Sequence, residues 1–276
     1  MAGMLYLVPT PIGNLGDISQ RCRETLEQAD FIAAEDTRVS LKLLNHLGIK
    51  KSLVSYYEHN KTFKGDKIVE RILAGETCAL VSDAGSPAIS DPGEDLVKQC
   101  AQAGIPVCAS PGPCAAITAL SISGQATGRF CFEGFLSTAK KSRREHLESL
   151  AKEQRTMIFY EAPHKLVNTL SDMAAVFGEN RPLSLCRELT KLHEEVVRTT
   201  LGEAIAKYTE TPPKGEFVLV VAGAPAEEKE TASSEDAAAR LSQLLDQGLS
   251  RKDAVKQTAQ ELQLPKNVVY EISLQL

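Results

Sequence analysis

A chain of 276 residues with 43% hydrophobic content can bury a sizeable core, and its length favours two domains or one large α/β unit over a single small module. No apolar run approaches the ~20 residues that span a bilayer, and Met1-Ala2-Gly3-Met4 puts no basic region ahead of an apolar stretch; neither a membrane span nor a signal peptide is expected, and a cytoplasmic location is. A net charge of −5 offers no whole-molecule attraction to nucleic acid, and seven scattered cysteines with no Cys-x-x-Cys and no histidines at ligand spacing argue against a disulfide framework or a zinc site.

In chain order, Leu5-Tyr6-Leu7-Val8 predicts a short strand followed by Pro9-Thr10-Pro11-Ile12-Gly13-Asn14-Leu15-Gly16-Asp17. This loop fits neither the G-x-x-x-x-G-K-[ST] nor the G-x-G-x-x-G phosphate fingerprint. Asp17 and Ser19 are candidate caps for a helix that carries Cys22, Leu26 and Ala29 on one side. Phe31-Ile32-Ala33-Ala34 predicts a buried strand that delivers Glu35-Asp36-Thr37-Arg38 to its carboxyl end, where two acids are costly unless paired or used. Equally, Asp36 or Thr37 can cap a helix through Leu41, Leu44 and Leu47 that Gly48 stops. Ser52-Leu53-Val54-Ser55 is the next strand; Tyr56-Tyr57-Glu58-His59-Asn60 behind it either lines the mouth of a cleft or caps the helix running to Leu73.

The apolar run Thr77-Cys78-Ala79-Leu80-Val81 leads into a bent loop with two glycines, two prolines, Asp83 and Asp91. In open parallel sheets such loops sit at the carboxyl ends of strands, where ligands bind. A helix over 96–103 and the strand Pro106-Val107-Cys108-Ala109 follow, then Ser110-Pro111-Gly112-Pro113-Cys114-Ala115-Ala116, whose small residues let a helix start against the sheet with free N–H groups. The alternation through residue 124 is that of a parallel α/β layer, residues 1–124. The glycines of 124–134 mark a boundary to a second α/β domain, 125–223, with strands at 156–160, 183–186, 196–199 and 215–223. Its basic run, Lys140, Lys141, Arg143 and Arg144, is either a solvated helix face or a phosphate contact. Residues 224–234 read as a linker, and 235–276 as three short helices around Leu241, Leu245, Ala254, Ala259, Val268 and Tyr270, a helix-turn-helix-like unit.

Together, the segments Leu7 to Asp17, Ala34-Glu35-Asp36-Thr37-Arg38, Ser82-Asp83-Ala84-Gly85-Ser86-Pro87, Ser110-Pro111-Gly112-Pro113, Phe159-Tyr160-Glu161-Ala162-Pro163-His164-Lys165 and Arg187-Glu188-Leu189-Thr190-Lys191 resemble the ribosomal RNA small subunit methyltransferase I family, of the tetrapyrrole-methylase superfamily. The resemblance implies two α/β domains with S-adenosylmethionine in the cleft between them, a small C-terminal helical domain and a homodimer. The implied reaction is 2′-O-methylation of a cytidine ribose in the decoding region of 16S rRNA, with that RNA or the 30S subunit as partner. It also implies donor contacts at Pro11, Asp83, Ala84, Ser86, Ile89, Cys114, Ala115 and Tyr160. Ser82-Asp83-Ala84 stands where the superfamily often has Gly-Asp-Pro, a departure toward the ribosomal family.

Methyl transfer from a sulfonium needs no metal; it needs alignment of oxygen, carbon and sulfur and removal of a proton from a weakly acidic hydroxyl. Candidates for that base, or for orienting the hydroxyl, are Glu35, Asp36, Glu188 and Lys191, with Arg38 gripping a phosphate or holding the acids. Two rivals remain at this point: a small-molecule methylase acting on a corrinoid-type ring, and an RNA-binding protein without turnover.

Overall fold

Five short runs, β1 (Leu5–Leu7), β2 (Phe31–Ala34), β3 (Ser52–Ser55), β4 (Cys78–Val81) and β5 (Val107–Ala109), pair in the order β3-β2-β4-β1-β5, every pair parallel, in the computed structural model of the chain. It describes residues 3–58, 61–91, 93–225 and 233–276; His59, Asn60, Pro92 and most of the expected linker, 226–232, lie outside the described residues. β2 and β4 are buried at every position because helices cover both faces of a parallel sheet. One face packs Phe31, Leu80 and Leu5 against Ile68 and Ile72 of α3 (Lys61–Leu73) and Leu96 and Cys100 of α4 (Gly93–Gln102). The other packs Ile32, Ala34 and Val81 against Cys22 and Leu26 of α1 (Gln20–Gln28) and Leu44 of α2 (Thr37–Leu47).

Register sets what leaves the sheet. Ala34 lies opposite Val81, and Leu7 opposite both Leu80 and Ala109, so Glu35, Ser82, Val8 and Ser110 all emerge at one edge. The acids and glycine turns that are far apart in sequence are neighbours there.

A second sheet is mixed. β6 (Phe130–Phe135), β7 (Thr156–Glu161), β8 (Pro182–Arg187), β9 (Glu195–Thr200) and β10 (Phe217–Val221) pair in the order β6-β7-β10-β8-β9, with β6 and β7 parallel and the other pairs antiparallel. β6 falls inside the glycine-rich stretch read as a boundary. Its Gly134 sits at φ 64 where the register shifts between Phe132 and Gly134, a bulge that a glycine serves without steric cost.

The helix α5 (Ala115–Ser123) differs from the alternation pattern as well. Its place in the chain assigns it to the first layer, but Ala116, Ala119 and Leu120 pack on Ile158, Cys186, Val218 and Val220 of the second sheet. The helix is apolar on nearly every side and so can be buried, with its first turn left at the edge where the first sheet ends. Both sheets fall in one compact unit, Met1–Ala224, and Pro225–Leu276 form another.

The second unit is α9 (Ser234–Asp246), α10 (Arg251–Glu261) and α11 (Lys266–Ser273), once α6 (Lys140–Ser149), α7 (Leu166–Phe177) and α8 (Leu201–Glu210) are counted with the second sheet. Its core joins Leu241, Leu244, Ala254, Val255, Ala259 and Val269. Val268 and Tyr270, expected in that core, are exposed; Val269 between them is the buried apolar residue of α11. All seven cysteines are free and four are buried. No described helix is long and apolar enough to cross a membrane.

Candidate active site

The edge to which the first sheet delivers its turns bounds a cavity of about 500 Å³, within the range of small-molecule sites. Its first wall is the β4–α4 loop. Thr10 and Gly85 exchange backbone hydrogen bonds of 2.9 and 3.0 Å, and the Ser82 hydroxyl donates to the Gly85 carbonyl at 3.2 Å. The Ser86 hydroxyl donates to the Pro113 carbonyl at 2.9 Å, tying this loop to the start of α5. Asp91 Oδ1 accepts from the N–H groups of Ala88 and Gly93 at 2.9 and 2.8 Å. Those bonds hold Ala88 and Ser90 at φ 67 and 65, left-handed conformations that cost non-glycine residues free energy and recur at ligand sites.

The second wall comes from the mixed sheet. Val218 pairs with Tyr160 and Phe217 with Glu161, which brings the end of β7 and the start of β10 to the cavity together. Phe132 and Phe135 pack edge-on against the Tyr160 ring at 5.0 and 5.4 Å. The Tyr160 hydroxyl accepts from the Ala116 N–H at 3.1 Å; burial, ahead of the neighbouring Cys114, pushes its pKa up to about 12, so its proton stays on. Glu161 is a buried carboxylate satisfied by the Ala162 N–H at 2.8 Å and the Thr169 hydroxyl at 2.5 Å.

Among the expected donor contacts, Asp83, Ala84, Ser86, Ile89, Cys114, Ala115 and Tyr160 line the cavity. Pro11 is not in the lining; its neighbour Ile12 is. Among the expected catalytic residues only Glu35 lines it. Burial, then the charges of Asp83, Asp91 and Asp36, raise the Glu35 pKa above the ordinary glutamate value. Asp36 instead caps α2 and pairs with Arg38, Nη2 to Oδ2 at 2.6 Å. Those hydrogen bonds lower its pKa to about 2. The Arg38 side chain is 86% exposed.

Glu188 and Lys191 form a latch. Lys191 Nζ lies 2.8 Å from Glu188 Oε1 and 3.0 Å from Glu216 Oε2, and the Glu216 N–H donates to Glu188 Oε1 at 3.0 Å. Lys191 lowers the Glu188 pKa; burial alone would lower that of Lys191, but its two carboxylates hold it above the ordinary value. The two carboxylates thus favour the charged form of Lys191, and Lys191 makes Glu188 a weaker base than a free glutamate. The latch abuts the loop after β1, since a Cβ on Gly13 would stand 2.5 Å from Lys191 Cγ.

In the basic run, Arg143 is 15% exposed and bonds Asp172 at 2.6 Å and the carbonyls of Ser137 and Thr138. Arg144 and Lys141 make i,i+4 pairs with Glu148 and Glu145. Sequence reasoning overlooked Phe135, Cys186, Leu189, Phe217 and Val218 as cavity walls, because apolar residues in and just after strands carry no signal of the void they border. Among the described residues, no group of three or more His, Cys, Asp or Glu could hold a metal ion.

The family model described as Tetrapyrrole (Corrin/Porphyrin) Methylases matches residues 4–205, and that of the RsmI C-terminal HTH domain matches 231–276. Curated relatives named "Ribosomal RNA small subunit methyltransferase I" match end to end: the Synechocystis sp. protein is 50% identical over 99% of this chain and 98% of its own, and that of Haemophilus influenzae 47% identical over 99% and 97%. The chain belongs to the ribosomal RNA small subunit methyltransferase I family. Among solved structures, the fold is shared with a diphthine synthase, at TM-score 0.61 and 14% identity over 80% of this chain and 90% of that one. It is shared too with the uroporphyrin-III C-methyltransferase of Thermus thermophilus complexed with S-adenyl homocysteine, at TM-score 0.56 and 18% identity over 79% of this chain and 97% of that one. Membership accounts for the pairing of the two sheets and for the appended three-helix unit.

Proposed function

We propose that this enzyme transfers the methyl group of S-adenosylmethionine to the 2′-hydroxyl of a cytidine ribose in the decoding region of 16S rRNA. The observation that carries the reading is the cavity itself. The turns around Asp83 and Cys114 meet the Tyr160 end of the second sheet there, in a chain alike from end to end to enzymes named for methylating small-subunit RNA. The residues fit the donor. Ile12, Ile89, Leu189 and Val218 offer apolar surface to an adenosyl group, carboxylates face its positive charges, and Cys114, the N-cap of α5, makes no capping bond of its own, so that apart from the Ala116 N–H taken by Tyr160 the first turn is open to a carboxylate.

The donor supplies an electrophilic methyl carbon on a sulfonium sulfur. The chain's own work is to align the ribose oxygen with that carbon, exclude water and receive the proton. Glu35 receives it, as the one expected base in the cavity and with a raised affinity for a proton. The new bond is carbon to the 2′-oxygen, the broken one carbon to sulfur, and the electron pair stays on sulfur. Asp83, Ala84, Ser86, Ile89, Cys114, Ala115 and Tyr160 hold the donor, and the latch of Glu188, Lys191 and Glu216 keeps the turn behind Leu189 in place. The enzyme acts in the cytoplasm as a homodimer, a reading supported by the family resemblance and by the exposed apolar side chains Val39 and Leu41 on α2.

Purified protein with radiolabelled donor is offered 30S subunits, naked 16S RNA and a precorrin-type ring. Label is expected in RNA; label only in the ring overturns the reading. Lys140, together with Lys141 and Arg144 from their exposed i,i+4 pairs with Glu145 and Glu148, presents the positive charge of α6 to phosphate. Their joint replacement by alanine is expected to weaken RNA binding and to flatten its log–log salt slope by about one for each phosphate no longer neutralised, with donor affinity unchanged. Arg143→Ala is expected to lower thermal stability instead, because Arg143 is committed to Asp172.

A further inference from the structure

The cavity lining contains five carboxylates, Glu35, Asp83, Asp91, Glu161 and Glu216, and no Lys, Arg or His among the described residues. Glu216 alone of the five is neutralised, by Lys191, and that cation is shared with Glu188. The other four form no ion pair with a described residue: Asp83 and Asp91 accept only backbone N–H groups, and Glu161 a backbone N–H and a hydroxyl. The Arg38 guanidinium, which bonds Asp36 and feels the charge of Asp83 as well, does not line the cavity and is turned to solvent. Packing like charges along one wall is unfavourable for the empty protein, and at Glu35 the charges of Asp83 and Asp91 add to burial in disfavouring the ionised form. These carboxylates do not converge as ligands of a metal ion. Such a wall is built to meet a positive charge spread over an extended ligand.

Methyl transfer changes the charge of what the cavity holds. The donor carries a sulfonium; once the methyl leaves, the same sulfur is an uncharged thioether, while the rest of the molecule is unaltered. We propose that the Glu35, Asp83 and Asp91 wall makes this cavity select the sulfonium donor over its thioether product, so that transfer itself weakens the hold on the spent cofactor and favours exchange for a fresh one. The inference rests on the reading of the cavity as the donor site.

The test is titration calorimetry of the full-length protein without RNA, using S-adenosylmethionine, S-adenosylhomocysteine and an analogue with a protonated amine in place of the sulfonium. The two cations are expected to bind about tenfold more tightly than the thioether, the effect of one favourable charge contact in a partly screened site. Raising salt from low to high concentration is expected to narrow that gap in the unaltered protein, and Asp83→Asn or Glu35→Gln to narrow it at fixed salt. Equal affinity for donor and product, or a gap that neither salt nor either variant moves, overturns the inference. Binding of neither cation nor thioether overturns the donor reading itself, and this selectivity with it.

Discussion

Glu35→Gln is expected to slow single-turnover methylation, measured at saturating donor and RNA, by about 10²–10⁴-fold, the span a positioned general base contributes. Glutamine keeps the size and polarity of the side chain but cannot accept the ribose proton. The effect belongs in the chemical step, so RNA affinity stays as it was. A carboxyl protonated at low pH is equally unable to act, and so the rate of the unaltered enzyme rises with pH through the raised pKa of Glu35. The variant's rate does not follow that limb.

The same residue gives a stability result of opposite sign. A carboxyl whose pKa is higher folded than unfolded contributes stability that is present at low pH and lost as pH rises through the folded value. In the native protein the ionised Glu35 is half-buried beside Asp83, Asp91 and Asp36. At neutral pH and above, Glu35→Gln is therefore expected to raise the melting temperature, and at pH 4 to leave it unchanged. A slower but more stable variant is the pattern of a residue kept for chemistry at the expense of the fold. A variant as fast as the parent removes Glu35 from the reaction.

Gly85→Val is expected to abolish measurable donor binding while leaving most of the secondary structure in place. Gly85 sits at φ 86 and exchanges two backbone hydrogen bonds with Thr10, which joins the loop after β1 to the loop after β4. A left-handed backbone costs an L-residue roughly 1–2 kcal/mol, and a β-branched one is the worst placed to adopt it. A Cβ there would also lie 3.3 Å from Ile12 Cγ2, and branching at that carbon pushes the cavity wall further. Loss of about 1.4 kcal/mol in binding is already tenfold in affinity. Gly48→Ala is the matched control, since Gly48 shares the left-handed backbone at φ 73 but meets nothing within 4 Å of a built Cβ. The control is expected to lose stability and keep donor affinity, as read by calorimetry on both proteins.

Much of the site was legible because parallel strands deliver their next residues to one edge. Once 31–34 and 78–81 are read as buried strands, Glu35 and Asp83 follow as neighbours, and the observed register of Ala34 opposite Val81 places them so. The function of Glu188 and Lys191 was not legible, because their shared partner Glu216 is 25 residues from Lys191 and reaches it only through the pairing of β8 with β10. Asp36 shows a local rule prevailing: an acid before a helix, two residues from an arginine, caps and pairs with what is nearest. In α11 a helix of eight residues is too short for its apolar spacing to set its phase, and Val269 rather than Val268 or Tyr270 turns inward. β6 was hidden by the glycine that makes its bulge, and the partner sheet of α5 by a helix apolar on nearly every side, which carries little sign of direction.

The central claim is tested most directly by mapping 2′-O-methylation across 16S rRNA from cells with and without this protein. The account predicts that one cytidine in the decoding region loses its ribose methyl when the protein is absent and regains it when purified enzyme and S-adenosylmethionine are added to the isolated 30S subunits. An unchanged methylation map, or a methyl group that returns on a base instead of a ribose, contradicts it.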